Sequence, residues 1–145
     1  MKFTFRKFPV RESQAFPGKN SVLRPVIPVT LIHPNHPEKR VTLHCAIDSG
    51  SDHCLFPTSI ATVLGLYRVE SGPTWVWAGA EDTTLVAYLH SIILEIEGHQ
   101  WECSALFSHG VNHAPYGILG LEGFFDRFNI QIDYKSGTMD ITPNT

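Results

Sequence analysis

Asp48, in the stretch "HCAIDSGSDHCLFP" (44–57), is the residue whose type and surroundings could do chemistry. Apolar Ala46 and Ile47 run straight into it, so its carboxylate emerges from a core strand, where it is costly unless hydrogen-bonded or given a task. Ser49 and Ser51 flank Gly50 immediately after it. Such a carboxylate can act as a reagent that gives or takes a proton. It can also simply start a turn, because aspartate bonds its own backbone two residues on and glycine accepts unusual backbone angles. Alone, the tripeptide reads as a turn. Its context includes "GILG" (117–120), an apolar segment closed by glycine and followed by an expected short helix.

Other reactive side chains offer less. Eight histidines raise the question of a metal, and His109 and His113 have helical i,i+4 spacing. Gly110, Asn112 and Pro115 oppose a helix there, and neither Cys-x-x-Cys nor His-Glu-x-x-His occurs. The expectation is loop and surface histidines, with no metal and no cofactor. Cys54 as a nucleophile would need a base, and His53 points to the opposite face of an extended segment. Trp75 and Trp77 share one side of a strand and read equally as substrate contacts or as packing.

These groups must be positioned by strands. "RPVIPVTLI" (24–32) is β-branched, and Pro25 and Pro28 favour an edge strand or extended entry. "HPNHPEKR" (33–40) is a proline-punctuated turn and "VTLHCAI" (41–47) the return strand, so 26–47 forms a hairpin. In "LFPTSIATVLGL", Thr58 or Ser59 can cap a helix whose inner face is Ile60, Val63 and Leu64, with Gly65 closing it. "TWVWAGAEDTTLVAYL" (74–89) is a hairpin about Ala78, Gly79 and Ala80, and 91–107 is another about Gly98. "YGILGLEGFFDRF" combines a buried strand, a glycine turn and a short helix with Phe124, Phe125 and Phe128 in its core. A hairpin around Lys135, Ser136 and Gly137 closes the chain. The fold class expected is mostly β with two short helices. Residues 1–21 read as an arm or edge strand, with a single domain over 22–145.

The chain has 145 residues, about one domain, and at that size no staple is required for a core. A net charge of −3 argues against nucleic acid or an anionic membrane as the main partner. The Phe3/Phe5 and Arg6/Lys7 stripe reads as an edge strand. The N-terminus lacks the continuous apolar segment of a signal peptide, and three cysteines cannot all pair, so reduced thiols and a cytoplasmic location are expected.

The segments "AIDSGS" (46–51), "LFPTSIATVLGL" (55–66) and "GILGLEGFFDRFNIQIDY" (117–134), in this order, resemble the retropepsin-like aspartic peptidases, including their bacterial single-domain relatives. The resemblance spans residues 22–142. It implies a small closed β-barrel and an aspartic endopeptidase acting on peptide or protein substrates. The mechanism needs two aspartates, and Asp126, Asp133 and Asp140 lack the hydroxyl-glycine tail. The second carboxylate is therefore implied to come from another copy in an obligate C2 homodimer. Two carboxylates so close share a proton, and the pair titrates in two separated steps, as in aspartic proteases generally.

By the same resemblance, Ser49 bridges the dimer axis, and Gly50 permits close approach to the backbone. Ser51, Asp52, Trp77, Ala78, Gly79 and Ala80 contact substrate. Ile118, Leu119 and Gly120 support the loop, and the Trp75–Thr84 hairpin is a flap. Ser49 stands where viral members have threonine. Leu121-Glu122 stands where they have an arginine, which leaves Asp52 to face solvent, a substrate polar group, or Arg6, Arg11 or Arg24. The terminal strands and the N-terminal arm are the candidate interface. A non-catalytic peptide-binding or dimerisation module with the same fold is the competing function, and a zinc-binding regulatory domain a further one.

Overall fold

The computed structural model describes residues 1–66, 68–78 and 80–145. Its strands are β1 (Lys2–Thr4), β2 (Arg6–Pro9), β3 (Ser21–Arg24), β4 (Val26–His33), β5 (His36–Ile47) and β6 (Leu55–Pro57). After helix α1 (Thr58–Leu64) come β7 (Thr74–Ala78), β8 (Thr84–Ile96), β9 (His99–Ser108), β10 (Gly117–Leu119), β11 (Phe128–Asp133) and β12 (Thr138–Pro143). Strands β4, β5, β10, β6, β9, β8 and β7 form one sheet in that order. A further pairing of β4 with β8, from Thr30 opposite Glu95 to Ile32 opposite Ile93, closes six of them into a ring. Ile27, Leu31, Phe56, Ile92, Leu94, Phe107 and Leu119 fill it and are fully buried.

The double pairing of β4 corrects the edge-strand reading of 24–32. Pro28 lies opposite His44, in the half of β4 that β8 does not reach, so its missing N–H breaks no ladder. The turn read over 33–40 contracts to Pro34 and Asn35, because β5 already begins at His36. The hairpins β7–β8, β8–β9 and β11–β12 form as the alternation predicts. Strand β1 adds to the edge of β12, giving a second sheet in the order β1-β12-β11. There the Met1 ammonium donates to the Ile141 carbonyl at 2.8 Å. Among the described residues, strands β2 and β3 pair only with each other.

Helix α1 forms where expected but turns a different face inward. Its N-cap is Pro57, without a side-chain cap bond, and Gly65 closes it in the left-handed region at φ 71°. Thr58, Ala61 and Leu64 are the buried positions, while Val63 is 63% exposed. Thr58 is drawn off capping because its hydroxyl serves His109 and Asn112.

The second expected helix is absent: residues 121–127 are turns, apart from an isolated bridge between Glu122 and His53. The Phe125 and Asp126 amides reach back to the Gly120 and Leu121 carbonyls, and Gly123 takes φ +98°, which no helix accommodates. A side chain at Gly123 would also meet the Cys54 sulfur at 3.2 Å. Phe124 and Phe128 are still core residues, stacked beside Trp101, whose indole N–H donates to the Gly123 carbonyl at 2.6 Å. Phe125 is half-buried against them.

Candidate active site

Asp48 is held at the end of two parallel strands. Ile47 of β5 lies beside Leu119 of β10, and the Asp48 amide donates to the Leu119 carbonyl at 3.0 Å. The chain then turns at once, with the Gly50 amide donating to Asp48 Oδ1 at 2.9 Å and the Ser51 amide to the Asp48 carbonyl at 3.2 Å. The first of these bonds fixes the carboxylate, which remains half-buried rather than sealed. A methyl group on Gly50 would sit 3.1 Å from that same oxygen, so glycine leaves the approach open. Ser49 is exposed at the turn, and the Ser51 hydroxyl donates to the His53 carbonyl at 2.8 Å.

The GILG segment braces this loop from behind. The Leu121 amide donates to the Ser51 carbonyl at 2.8 Å, the Glu122 amide to that of Asp52 at 2.9 Å, and the Cys54 thiol to that of Glu122 at 3.6 Å. These ties bring the two chain segments into contact at Gly120. A Cβ there would lie 2.3 Å from the His53 carbonyl oxygen and 2.6 Å from that of Ser51.

A cavity of about 190 Å³ opens over Asp48. One wall is the loop, from Asp48 through Gly50, Ser51 and Asp52 to His53. Trp75, Trp77 and Leu85 of the β7–β8 hairpin form the opposite wall, and Leu55, Leu106 and Ile118 the apolar floor. The structure thus gathers Asp48, Gly50, Ser51, Asp52 and Trp77, with Trp75 and Ile118 beside them. Leu119 is buried beneath, and Ala78 ends β7 outside the lining. Gly79 lies outside the described residues, as does the side chain of Ala80.

No ion pair of Asp52 exists among the described residues. Arg6 bonds His44 at 2.6 Å and Arg24 bonds the Tyr116 hydroxyl at 3.2 Å, while Arg11 is exposed on the arm. Loss of water around its ring, and then the adjacent Arg6 charge, hold His44 below the usual imidazole range. It meets Arg6 as a neutral acceptor.

Several pocket residues carried no sequence signal. Leu55 and Leu106 meet through parallel pairing of β6 with β9, which no local pattern announces. Leu85 could have been found, since it lies opposite Trp77 in the hairpin register. His53 packs edge-on against Trp75, ring centroids 5.7 Å apart, with its Nδ1 3.6 Å from Glu122.

Behind the pocket, Thr58 Oγ1, His109 and Glu70 stand in the order of a hydrolytic relay, at 2.8 Å on each side of the imidazole. Thr58 is buried at 3% exposure and its hydroxyl also donates to Asn112 at 3.1 Å, so no substrate reaches it. The Glu70 carboxyl is held below its usual range by its own backbone amide and then by His109. This network is structural: it ties the start of α1 to the segment that leads into β7.

Cys45, Cys54 and Cys103 are free and buried. Burial raises all three, Cys54 and Cys103 to about 12 and Cys45 further. Native protein is therefore expected to resist alkylation at pH 8 and to react rapidly once unfolded. The same thiols ionise in the unfolded chain from their ordinary value of 9.0. Stability is therefore unaffected by them below that pH and falls as pH rises toward 12, by about 1.4 kcal/mol per thiol per pH unit. Denaturation midpoints measured from pH 7 to the alkaline limit test this. A flat profile, or fast native labelling, would contradict the burial described.

No helix is long and apolar enough to cross a membrane among the described residues, and no group of three or more His, Cys, Asp or Glu is arranged to hold a metal. No family model matches the sequence, and no curated protein is significantly similar to it. Solved structures do match. A retropepsin-like aspartic protease from Rickettsia conorii superimposes with a TM-score of 0.58 at 13% identity, covering 94% of this chain and 98% of that one. EIAV protease, complexed with the inhibitor HBY-793, matches with a TM-score of 0.46 at 20% identity over 67% of this chain and 81% of that one. The chain has a retropepsin-like fold.

Proposed function

We propose that the chain is an aspartic endopeptidase whose active site is completed by a second copy. The observation that carries this reading is the placement of Asp48: half-buried, oriented by the Gly50 amide, and lining a pocket with an apolar floor on a retropepsin-like fold. One carboxylate is half of an acid–base pair, and the chain has no second Asp-Ser-Gly or Asp-Thr-Gly. Asp126 and Asp133 are occupied as turn acceptors, for the Gly123 amide and for both the amide and hydroxyl of Ser136.

Across a two-fold axis, two Asp48 carboxylates share one proton. The ionised member takes a proton from water as its oxygen attacks the peptide carbonyl carbon. The protonated member donates to the carbonyl oxygen, and the amine then leaves with a proton returned from the pair. Exposed Ser49 bridges the axis. The β7–β8 hairpin closes as a flap, and Trp75, Trp77 and Leu85 shed water around the reacting bond. The floor of Leu55, Leu106 and Ile118 accepts one large apolar side chain next to that bond. Strand β1, at the edge of its sheet, and β11 are the interface elements.

The test is cleavage of a mixed peptide pool between acidic and neutral pH, read by mass spectrometry. New termini beside large apolar residues are expected, unaffected by a chelator or by thiol alkylation. Peptides left intact throughout, or cleavage abolished by chelation, would overturn the proposal in favour of a binding module or a metalloenzyme.

A further inference from the structure

The first 24 residues carry a surface that the Asp48 pocket does not use. They hold six of the chain's 11 Lys and Arg side chains against one carboxylate, Glu12, while the remainder holds 13 carboxylates and five cations. Glu12 is occupied, accepting from the Gly18 amide at 2.6 Å. Among the described residues, no ion pair involves Lys2, Arg6, Lys7, Arg11, Lys19 or Arg24. Two of these cations rest on aromatic rings instead. Lys19 Nζ lies 5.7 Å from the centre of Phe16, and the Arg24 guanidinium lies 5.5 Å from Phe8 and 5.8 Å from Tyr116.

A groove of about 240 Å³ runs between the β2–β3 pair and its connecting loop. Val10, Phe16 and Val22 supply apolar surface, Arg11, Lys19 and Arg24 supply charge, and no carboxylate lines it. Phe16 is 65% exposed. Apolar side chains left in water forgo burial, and unneutralised like charges repel, so one kind of partner relieves both at once.

We propose that the hairpin over residues 6–24 is a docking surface for an acidic polypeptide segment bearing a large apolar or aromatic side chain. The apolar group enters the groove beside Phe16 while Asp or Glu side chains meet Arg11, Lys19 and Arg24. The cations bracket an apolar groove instead of forming a continuous basic track, which favours a peptide over a nucleic acid. The groove shares no lining residue with the Asp48 pocket.

The experiment is fluorescence anisotropy of a labelled Glu- and Phe-containing peptide with the full chain at low and high salt. A matched peptide with Lys for Glu, phosphatidylserine vesicles and a single-stranded oligonucleotide are run alongside. The acidic peptide is expected to bind more tightly than the other three and to weaken as salt rises. The double variant Arg11→Glu, Lys19→Glu is expected to lose about tenfold in affinity, and Phe16→Ala about fivefold, with unchanged melting temperatures because all three side chains are exposed. Equal affinity in the double variant, no binding at millimolar peptide, or tighter binding of vesicles or oligonucleotide would each overturn the proposal. So would self-association that the double variant abolishes, which would make a second copy the occupant.

Discussion

Asp48→Asn is expected to lower kcat/KM for peptide cleavage by at least about a thousandfold, the scale of losing a positioned acid–base group. The amide is nearly isosteric and its oxygen still accepts from the Gly50 amide, the bond that Asp48 Oδ1 makes at 2.9 Å. Stability should therefore change by less than about 1 kcal/mol. The combination is the informative result, since lost activity with an unchanged melting temperature assigns the carboxylate a chemical role. Equal activity in both proteins would remove Asp48 from the mechanism and return the Asp-Ser-Gly tripeptide to an ordinary turn.

Gly120→Ala is the second large effect, and it acts through the fold. The added methyl group would meet the His53 carbonyl oxygen at 2.3 Å, its carbon at 2.5 Å and the Ser51 carbonyl oxygen at 2.6 Å. All three are backbone atoms of the loop that carries Asp48, so no rotamer change relieves the clash. The loop must move, and with it the bonds from Leu121 and Glu122 that brace it. A loss of about 3 kcal/mol is expected, lowering the melting temperature by about 10 °C, with cleavage activity falling further than stability does. A variant that melts within about 2 °C of the native protein and cleaves normally would show that the loop and the GILG segment are not packed as described.

Much of this site was legible from residues 44–57 and 117–120. Ala46 and Ile47 marked Asp48 as leaving a buried strand, and the parallel β5–β10 pair now explains why the two segments belong together. The hairpins were legible because their alternation is local, as in Trp75 and Trp77 against Leu85 and Ala87. Failures arose where distant contacts outweighed local preference. Thr58 looked like a cap, but Asn112 and His109 claim its hydroxyl from another part of the chain. The "GFFDRF" segment has helix-like apolar spacing, yet the close approach of the Cys54 sulfur and the positive φ of Gly123 divert it into turns. Pro28 suggested an edge, and half of β4 is one, but the ring closes through the other half. Ile118 of the pocket floor was marked by the GILG segment, but Leu55 and Leu106 were invisible because they meet only through a parallel pairing of strands distant in sequence.

A solitary subunit brings a single Asp48 to its pocket and, on this account, cannot by itself supply both the acid and the base. The most direct measurement is cleavage rate per chain against chain concentration, with sedimentation equilibrium over the same range. Activity is expected to track the fraction of chains associated in pairs and to vanish on dilution into monomer. Undiminished activity per chain in a sample that sediments wholly as monomer would contradict the shared carboxylate pair.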